Sequence, residues 1–322
     1  APGIASAKNF GLIGVYVLEP AEPLPPMTQE DLEFERFQIK AVSAIEEELD
    51  RILKTRKQSR IQTIADMVIR NYGHLDEKIN FYQNLRSLED YVSRHSLNVA
   101  ILCAMITHVM NIRREEQYHT VCAALLHDMG KLKKHEDVYF GAPYSREDAI
   151  RNCETQEEAY SVIEDAFATE GPAIRRICQQ AAGKQLDLFP EEGKESRYKM
   201  LEGSNVLLVA NRYDEITAMT LQGTAQSEVK AAQELLEHPE VYDPETVQAL
   251  LRSINILPPG ASVELSTGEK ALVLSENEEN VLRPTVVSFR DNSILNLALP
   301  QNEDIQIVDV MKTMDNRYIL KK

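Results

Sequence analysis

The sequence predicts a mainly α fold, a helical bundle that carries a small antiparallel β unit at its C-terminal end. Two observations predict it. Apolar residues recur at helical spacing over most of the chain. After Pro258-Pro259-Gly260 that period gives way to short alternating segments between turn residues. The 322 residues leave room for a large core, and the ordinary apolar fraction of 43% marks a globular protein.

The elements follow in order. "FGLIGVYVL" (10–18) reads as a short strand and "EPAEPLPPM" as an extended Pro-rich connector that cannot be helical; together they make residues 1–27 a separate N-terminal piece. The region 28–74 opens with Thr28 as an N-cap and Asp31 at capping-box distance. It continues with apolar residues at helical spacing: Leu32, Phe34, Phe37, Ile39, Ala41, Val42, Ile45, Leu49 and Ile52. Helical periodicity then runs through 61–72, 79–111, 115–127, 146–182, 196–222 and 226–253, so 75–253 forms the main helical domain. No heptad run is sustained, which excludes a coiled coil. From 258 to 322, "SVELS", "KALVLSE", "PTVVSF", "ILNLAL" and "IQIVDVM" read as strands, separated by Gly268, "ENEEN", "RDN" and "PQNED" as turns.

Several function classes drop out. A net charge of −16 argues against a nucleic-acid duplex or an anionic membrane as partner. No apolar run approaches the roughly 18–20 residues of a membrane span, and no basic-then-apolar leader opens the chain, so a cytoplasmic protein is expected. Cys103, Cys122, Cys153 and Cys178 lack paired spacing and read as reduced thiols.

One stretch carries chemistry. "VCAALLHDMGKLKK" (121–134) is a small-apolar helix that ends on His127 and Asp128. A buried carboxylate needs a cation, a strong donor or a metal. Neighbours on a helix point about 100° apart, yet at a helix terminus both can converge beyond the end. Imidazole nitrogen with carboxylate oxygen suits Mn²⁺, Fe²⁺ or Zn²⁺. His95 heads the preceding apolar face through Val99, Cys103 and Ile106. A short link around Asn111 would bring it beside His127. The competing plain reading is a core histidine bonded to a carbonyl and an aspartate capping "MGK".

His95 in "RHSLNVA" followed by "ALLHDMGK" resembles the H…HD signature of the HD superfamily of metal-dependent phosphohydrolases, and so implies an HD-domain helical bundle. The longer context resembles the HD-GYP branch, the cyclic di-GMP phosphodiesterases: "LEDYVSRHSLNVAILC", "VLLVANRYDEITA" (206–218) and the β-rich tail from "LPPGASVEL" are similar to segments of that branch. The resemblance covers roughly 75–310, is poor over 140–200, and leaves 1–70 unassigned.

The resemblance implies His95, His127 and Asp128 as metal ligands, with Lys131 facing the substrate phosphate. Asn211 stands where an Asp would complete the first metal's set, and offers only a neutral oxygen; Asp214, one turn on, is a conceivable substitute. The family's second-metal histidines are missing: none lies between Phe167 and Gly171, and "CQQAAGKQLDLFP" replaces the paired-His segment and Gly-Tyr-Pro loop. At most one divalent ion is therefore expected. Two readings stand. One is a divergent hydrolase of a phosphoester, a nucleotide or cyclic dinucleotide, at a reduced metal site with Asp128 and Lys131 as the catalytic pair. The other is an inactive HD-GYP fold that senses a cyclic nucleotide or binds a protein. A protein partner or a second copy of the chain stays open in both.

Overall fold

The computed structural model describes residues 29–81, 83, 85–133, 145–189, 199–220 and 225–311. The strand, connector and Thr28 cap expected before residue 29 lie outside them. Helix α1 (Gln29–Thr55) buries Ala41, Val42, Ile45, Leu49 and Ile52 of the stripe read from the sequence, whereas Ile39, read into the same stripe, is exposed. Helix α2 (Ile61–Tyr72) has no side-chain cap of its own at Arg60. Glu48 of α1, almost fully buried, instead accepts from the backbone N–H groups of Ser59 and Arg60, the latter at 2.8 Å. A carboxylate from a neighbouring helix thus meets the positive end of α2.

Helix α3 (Tyr91–Val109) is buried nearly all round and lies at the centre of the bundle, with sixteen of its residues buried. The expected helix start at 79 is corrected. Leu85 and Leu88, which supply the apparent helical spacing there, are exposed. The segment instead runs alongside the fold, with Ile79 bridging to Ile254 and Arg86 to Thr220. Asp90 Oδ1 accepts from Ser87 N–H at 2.8 Å and turns the chain into α3. Asn111, at φ 54°, makes the tight link to α4 (Arg114–Leu126), antiparallel to α3. A 3₁₀ turn (Met129–Lys133) follows His127 and Asp128.

Two long helical stretches are each broken in two. Helix α5 (Arg146–Phe167) starts at a Ser145/Asp148 capping box. It stops at Ala168, whose φ of 48° no helix accepts, and α6 (Gly171–Gln185) begins after it. Gly171 is required there: a Cβ would lie 2.4 Å from the Glu164 carbonyl oxygen. Helix α7 (Glu202–Thr217) is almost wholly buried. Helices α8 (Glu228–Glu237) and α9 (Pro244–Ser253) are separated by a turn, and Asp243 caps α9 through Thr246 N–H at 2.9 Å.

The C-terminal unit is a five-stranded antiparallel sheet in the order β4-β3-β2-β1-β5: β1 (Ser262–Leu265), β2 (Lys270–Ser275), β3 (Thr285–Ser288), β4 (Ile294–Asn296) and β5 (Ile307–Val310). Val263, Leu265, Ala271, Val273, Val286 and Ile307 face inward and join the helical core. Gln233 of α8 donates to the Ile307 carbonyl at 2.9 Å. The fold is the mainly helical one with a small C-terminal antiparallel sheet that the change of period predicts.

Candidate metal centre

Three elements meet at the site: the first turns of α3, the turn after α4, and the second half of α7. Because α3 and α4 are antiparallel and joined by a short link, the start of one lies beside the end of the other. That places His95, fully buried, next to His127 and Asp128. One donor atom from each of the three residues lies within 4.8 Å of the others, so the group could hold a metal ion. Among the described residues no second such group occurs.

Hydrogen bonds on the outer side of each ring decide what faces inward. His95 Nδ1 is 2.6 Å from Asp214 Oδ2, and His127 Nδ1 is 2.8 Å from the Ala124 carbonyl oxygen. Neither oxygen can donate, so each Nδ1 carries a proton, and in the neutral ring each Nε2 then presents a lone pair. Asn211 has the same constraint. Its Nδ2 donates to Glu215 Oε1 at 3.2 Å, which turns Oδ1 inward, 2.9 Å from His95 Nε2 and 3.0 Å from His127 Nε2. The two Nε2 atoms are 3.1 Å apart.

Three acceptors therefore face one another with no hydrogen among them. Such a cluster repels itself unless a cation stands in it. At His127 a proton is a poor candidate, because burial lowers its pKa below the ordinary imidazole value, with His95 adding to the shift and Asp128 only partly offsetting it. Donor separations near 3 Å are those of ligands at right angles on a divalent ion with bonds of about 2.1 Å. The donor set fits a divalent metal.

Stability carries the sign of the His127 shift. Below about pH 6.5, the unfolded imidazole takes up a proton that the folded one declines, so the folded state loses ground as pH falls. Denaturant midpoints measured between pH 7.5 and 5.5 should decline, and His127→Gln should decline less. Equal slopes for the two proteins would contradict this account.

Asp128 has both oxygens engaged. Lys131 Nζ donates to Oδ2 at 2.7 Å and Gln156 Nε2 to Oδ1 at 3.1 Å. Burial would raise its pKa, yet Lys131, His127 and His95 hold it well below the carboxylate range. Gln156 also accepts from Gly130 N–H at 3.1 Å, which locks the 3₁₀ turn to α5. Gly130 is needed for this contact: a Cβ would lie 2.4 Å from the Thr155 carbonyl oxygen.

Asp214 is placed differently from the other candidates. It stands behind His95 rather than among the inward donors. Its two oxygens receive Arg86 Nη1 and Nη2, both at 2.7 Å, along with Gln83 at 2.9 Å and Asn98 at 3.0 Å. Burial alone would raise its pKa, and Arg86 with His95 outweighs that and holds it far below the ordinary range. Arg86 is itself fully buried, its guanidinium 5.4 Å from the centre of the Tyr91 ring.

Sequence reasoning missed Gln83, Arg86, Asn98, Gln156 and Glu215. Asn98 and Gln156 carried a faint signal as polar residues on otherwise apolar helical faces; Arg86 and Gln83 carried none. The cleft above the site is narrow, about 30 Å³, and Asn152, Gln156, Gln185 and Glu215 are among its walls. The basic "GPAIRR" segment (171–176) does not line this cleft, and Arg175 pairs with Glu164 at 3.2 Å.

Residues 92–219 match the model of the HD domain family. The matched span runs from α3 to the residues just after α7 and contains every inward donor described above. It supports the HD superfamily, whose domains bind divalent metals, and it suggests a metal-dependent phosphohydrolase acting on a phosphoester. No curated protein and no solved structure matches the chain. Among the described residues, no helix is long and apolar enough to cross a membrane.

Proposed function

We propose that this chain is a divergent HD phosphohydrolase that works with one divalent ion, held by His95, His127 and Asp128 with Asn211 as a neutral fourth donor. The observation that carries the proposal is the trio of lone pairs, His95 Nε2, His127 Nε2 and Asn211 Oδ1, turned toward one another at 2.9–3.1 Å. Evolution has no structural use for three mutually repelling acceptors in a core. A bound cation gives them one.

Such an ion, when bound, supplies Lewis acidity: it makes water a nucleophile near neutral pH and offsets charge on a phosphoryl group. The protein supplies the rest. Asp214 and the Ala124 carbonyl fix the tautomer of each histidine, so neither ring has to turn before a ligand binds. Lys131 brings a cationic nitrogen beside Asp128, where it offsets charge on an entering phosphate. Asp128, whose proton affinity is low, accepts a hydrogen bond from water and orients it.

The likeness to the HD-GYP branch makes cyclic di-GMP the first substrate to test, and the geometry makes it a poor one. Pockets that enclose small organic ligands usually measure about 300–1,000 Å³, whereas this cleft measures about 30 Å³. A terminal phosphoester can reach the donors with the remainder of the molecule outside. The second reading, an inactive domain that binds a ligand, draws on one observation: Lys131 and Gln156 already occupy both oxygens of Asp128.

Metal analysis and turnover separate the two. The purified protein should bind close to one equivalent of Mn²⁺ and hydrolyse a generic aryl phosphoester or a nucleotide in its presence. Cyclic di-GMP should be cleaved several decades more slowly than by a two-metal enzyme, since each 1.4 kcal/mol of lost charge stabilisation is about tenfold in rate. Stoichiometric metal without turnover of any phosphoester would favour the binding reading. No metal uptake at all would defeat the proposal.

A further inference from the structure

The amide at Asn211 looks like a loss, because it removes an anionic oxygen from the donor set. The residue one turn along α7 alters that view. Glu215 is 5% exposed and lines the cleft, and its Oε1 accepts from Asn211 Nδ2 at 3.2 Å. Its other oxygen receives Gln185 Nε2 at 3.0 Å and Arg212 Nη1 at 3.4 Å. Arg212 is shared, since its Nε also donates to Glu234 at 2.6 Å. Glu215 is thus held in one place by α6 and by its own helix, with one oxygen reserved for the amide.

We infer that Asn211 and Glu215 act as a displaced carboxylate: the negative charge has moved from the donor position to the residue behind it, and the amide transmits it. Two physical effects support this. A carboxylate on the NH₂ end fixes which end of the amide faces the histidines, a choice that an Asn with no such partner leaves open. It also polarises the amide, and makes Oδ1 a stronger donor than an isolated amide oxygen. Glu215 is a positioning residue, and the inference rests on the metal-binding function proposed above.

The arrangement has a consequence that a merely structural glutamate would not have. An Asp at position 211 would put a carboxylate oxygen against Glu215 Oε1 at hydrogen-bond distance, and two like charges there disfavour each other. Glu215 should therefore help the site when Asn211 is present and harm it when Asp replaces Asn211. Glu215→Gln should reverse its effect between the two backgrounds.

The test is a double-mutant cycle in Mn²⁺ affinity, read by calorimetry and by electron paramagnetic resonance of the bound ion on the full chain, with circular dichroism as the check on folding. Glu215→Gln alone should weaken binding by about 10- to 100-fold, the range for loss of an outer partner of a metal ligand. Asn211→Asp alone should change affinity little. The double variant should bind more tightly than Asn211→Asp, so that the same Glu215→Gln change weakens one background and strengthens the other. If Glu215→Gln weakens both backgrounds alike, or leaves both unchanged, the inference is overturned while the metal site stands. Should Glu215→Gln fail to fold, the comparison of Asn211→Asp with the double variant decides alone, and tighter binding by Asn211→Asp overturns the inference. A wild-type protein that takes up no Mn²⁺ overturns the underlying function and this inference with it.

Discussion

Asp128→Asn is expected to lose Mn²⁺ affinity by more than about 100-fold and to abolish metal-dependent phosphoester hydrolysis. Outer partners of metal ligands are worth about 10- to 100-fold in affinity, and Asp128 supplies the one anionic oxygen in the group that faces inward. Asn rather than Ala is the informative change. It keeps an acceptor for one of Gln156 and Lys131, which lie 3.1 Å and 2.7 Å from the carboxylate oxygens, and so spares the packing of the 3₁₀ turn on α5. The loss can then be read as chemistry rather than unfolding. Calorimetric titration with Mn²⁺, together with a thermal scan, checks it. A folded Asp128→Asn protein that binds Mn²⁺ within tenfold of wild type would show that the ion, if any, is held elsewhere.

The largest stability effect should come from a residue that touches no inward donor. Arg86→Met is expected to cost about 3–5 kcal/mol, the range for removing one partner of a buried ion pair. Both side chains are fully buried, and the guanidinium supplies two bonds at 2.7 Å to Asp214. Without it, Asp214 keeps neutral donors from Gln83 and Asn98 and the proton on His95 Nδ1, but no permanent cation. Arg86 also fixes Asp214 against the outer nitrogen of His95, so its loss frees that ring to turn away from the inward position. Metal affinity should therefore fall along with stability. Arg86→Lys should recover only part of either, because an ammonium cannot make the paired bonds of the planar fork. Urea denaturation of the two variants decides this, and a loss under about 1 kcal/mol for Arg86→Met would mean that water or another cation reaches Asp214.

Much of this protein is legible along the chain because the signals are local. The helical period over most of the chain and the change to alternation after Pro258-Pro259-Gly260 each depend on residues a few positions apart. His95, His127 and Asp128 belong to the same class. A polar pair that ends an apolar helix must be partnered, and a short link between antiparallel helices leaves few places for the partner. Breaks were harder to see. Both breaks carry Pro that the helical period masks, with Gly171-Pro172 opening α6 and Pro239 and Pro244 bracketing the turn between α8 and α9, and the φ of Ala168 and the packing of Gly171 against Glu164 show why α6 must start afresh.

The roles of the polar residues were decided by the tertiary structure alone. Asn211 and Asp214 are one turn apart on α7, and sequence treats them as exchangeable donors. Packing separates them. The segment before α3 runs irregularly past α7 and delivers Arg86 and Gln83 to Asp214, so that carboxylate is drawn to the outer face of His95. Asn211 is left facing inward, with Glu215 behind it. Each of these pairings depends on which buried donor reaches which acceptor across different elements. The sequence specifies that choice only through the whole fold, because hydrogen bonds act over about 3 Å whereas Arg86 and Asp214 are 128 positions apart.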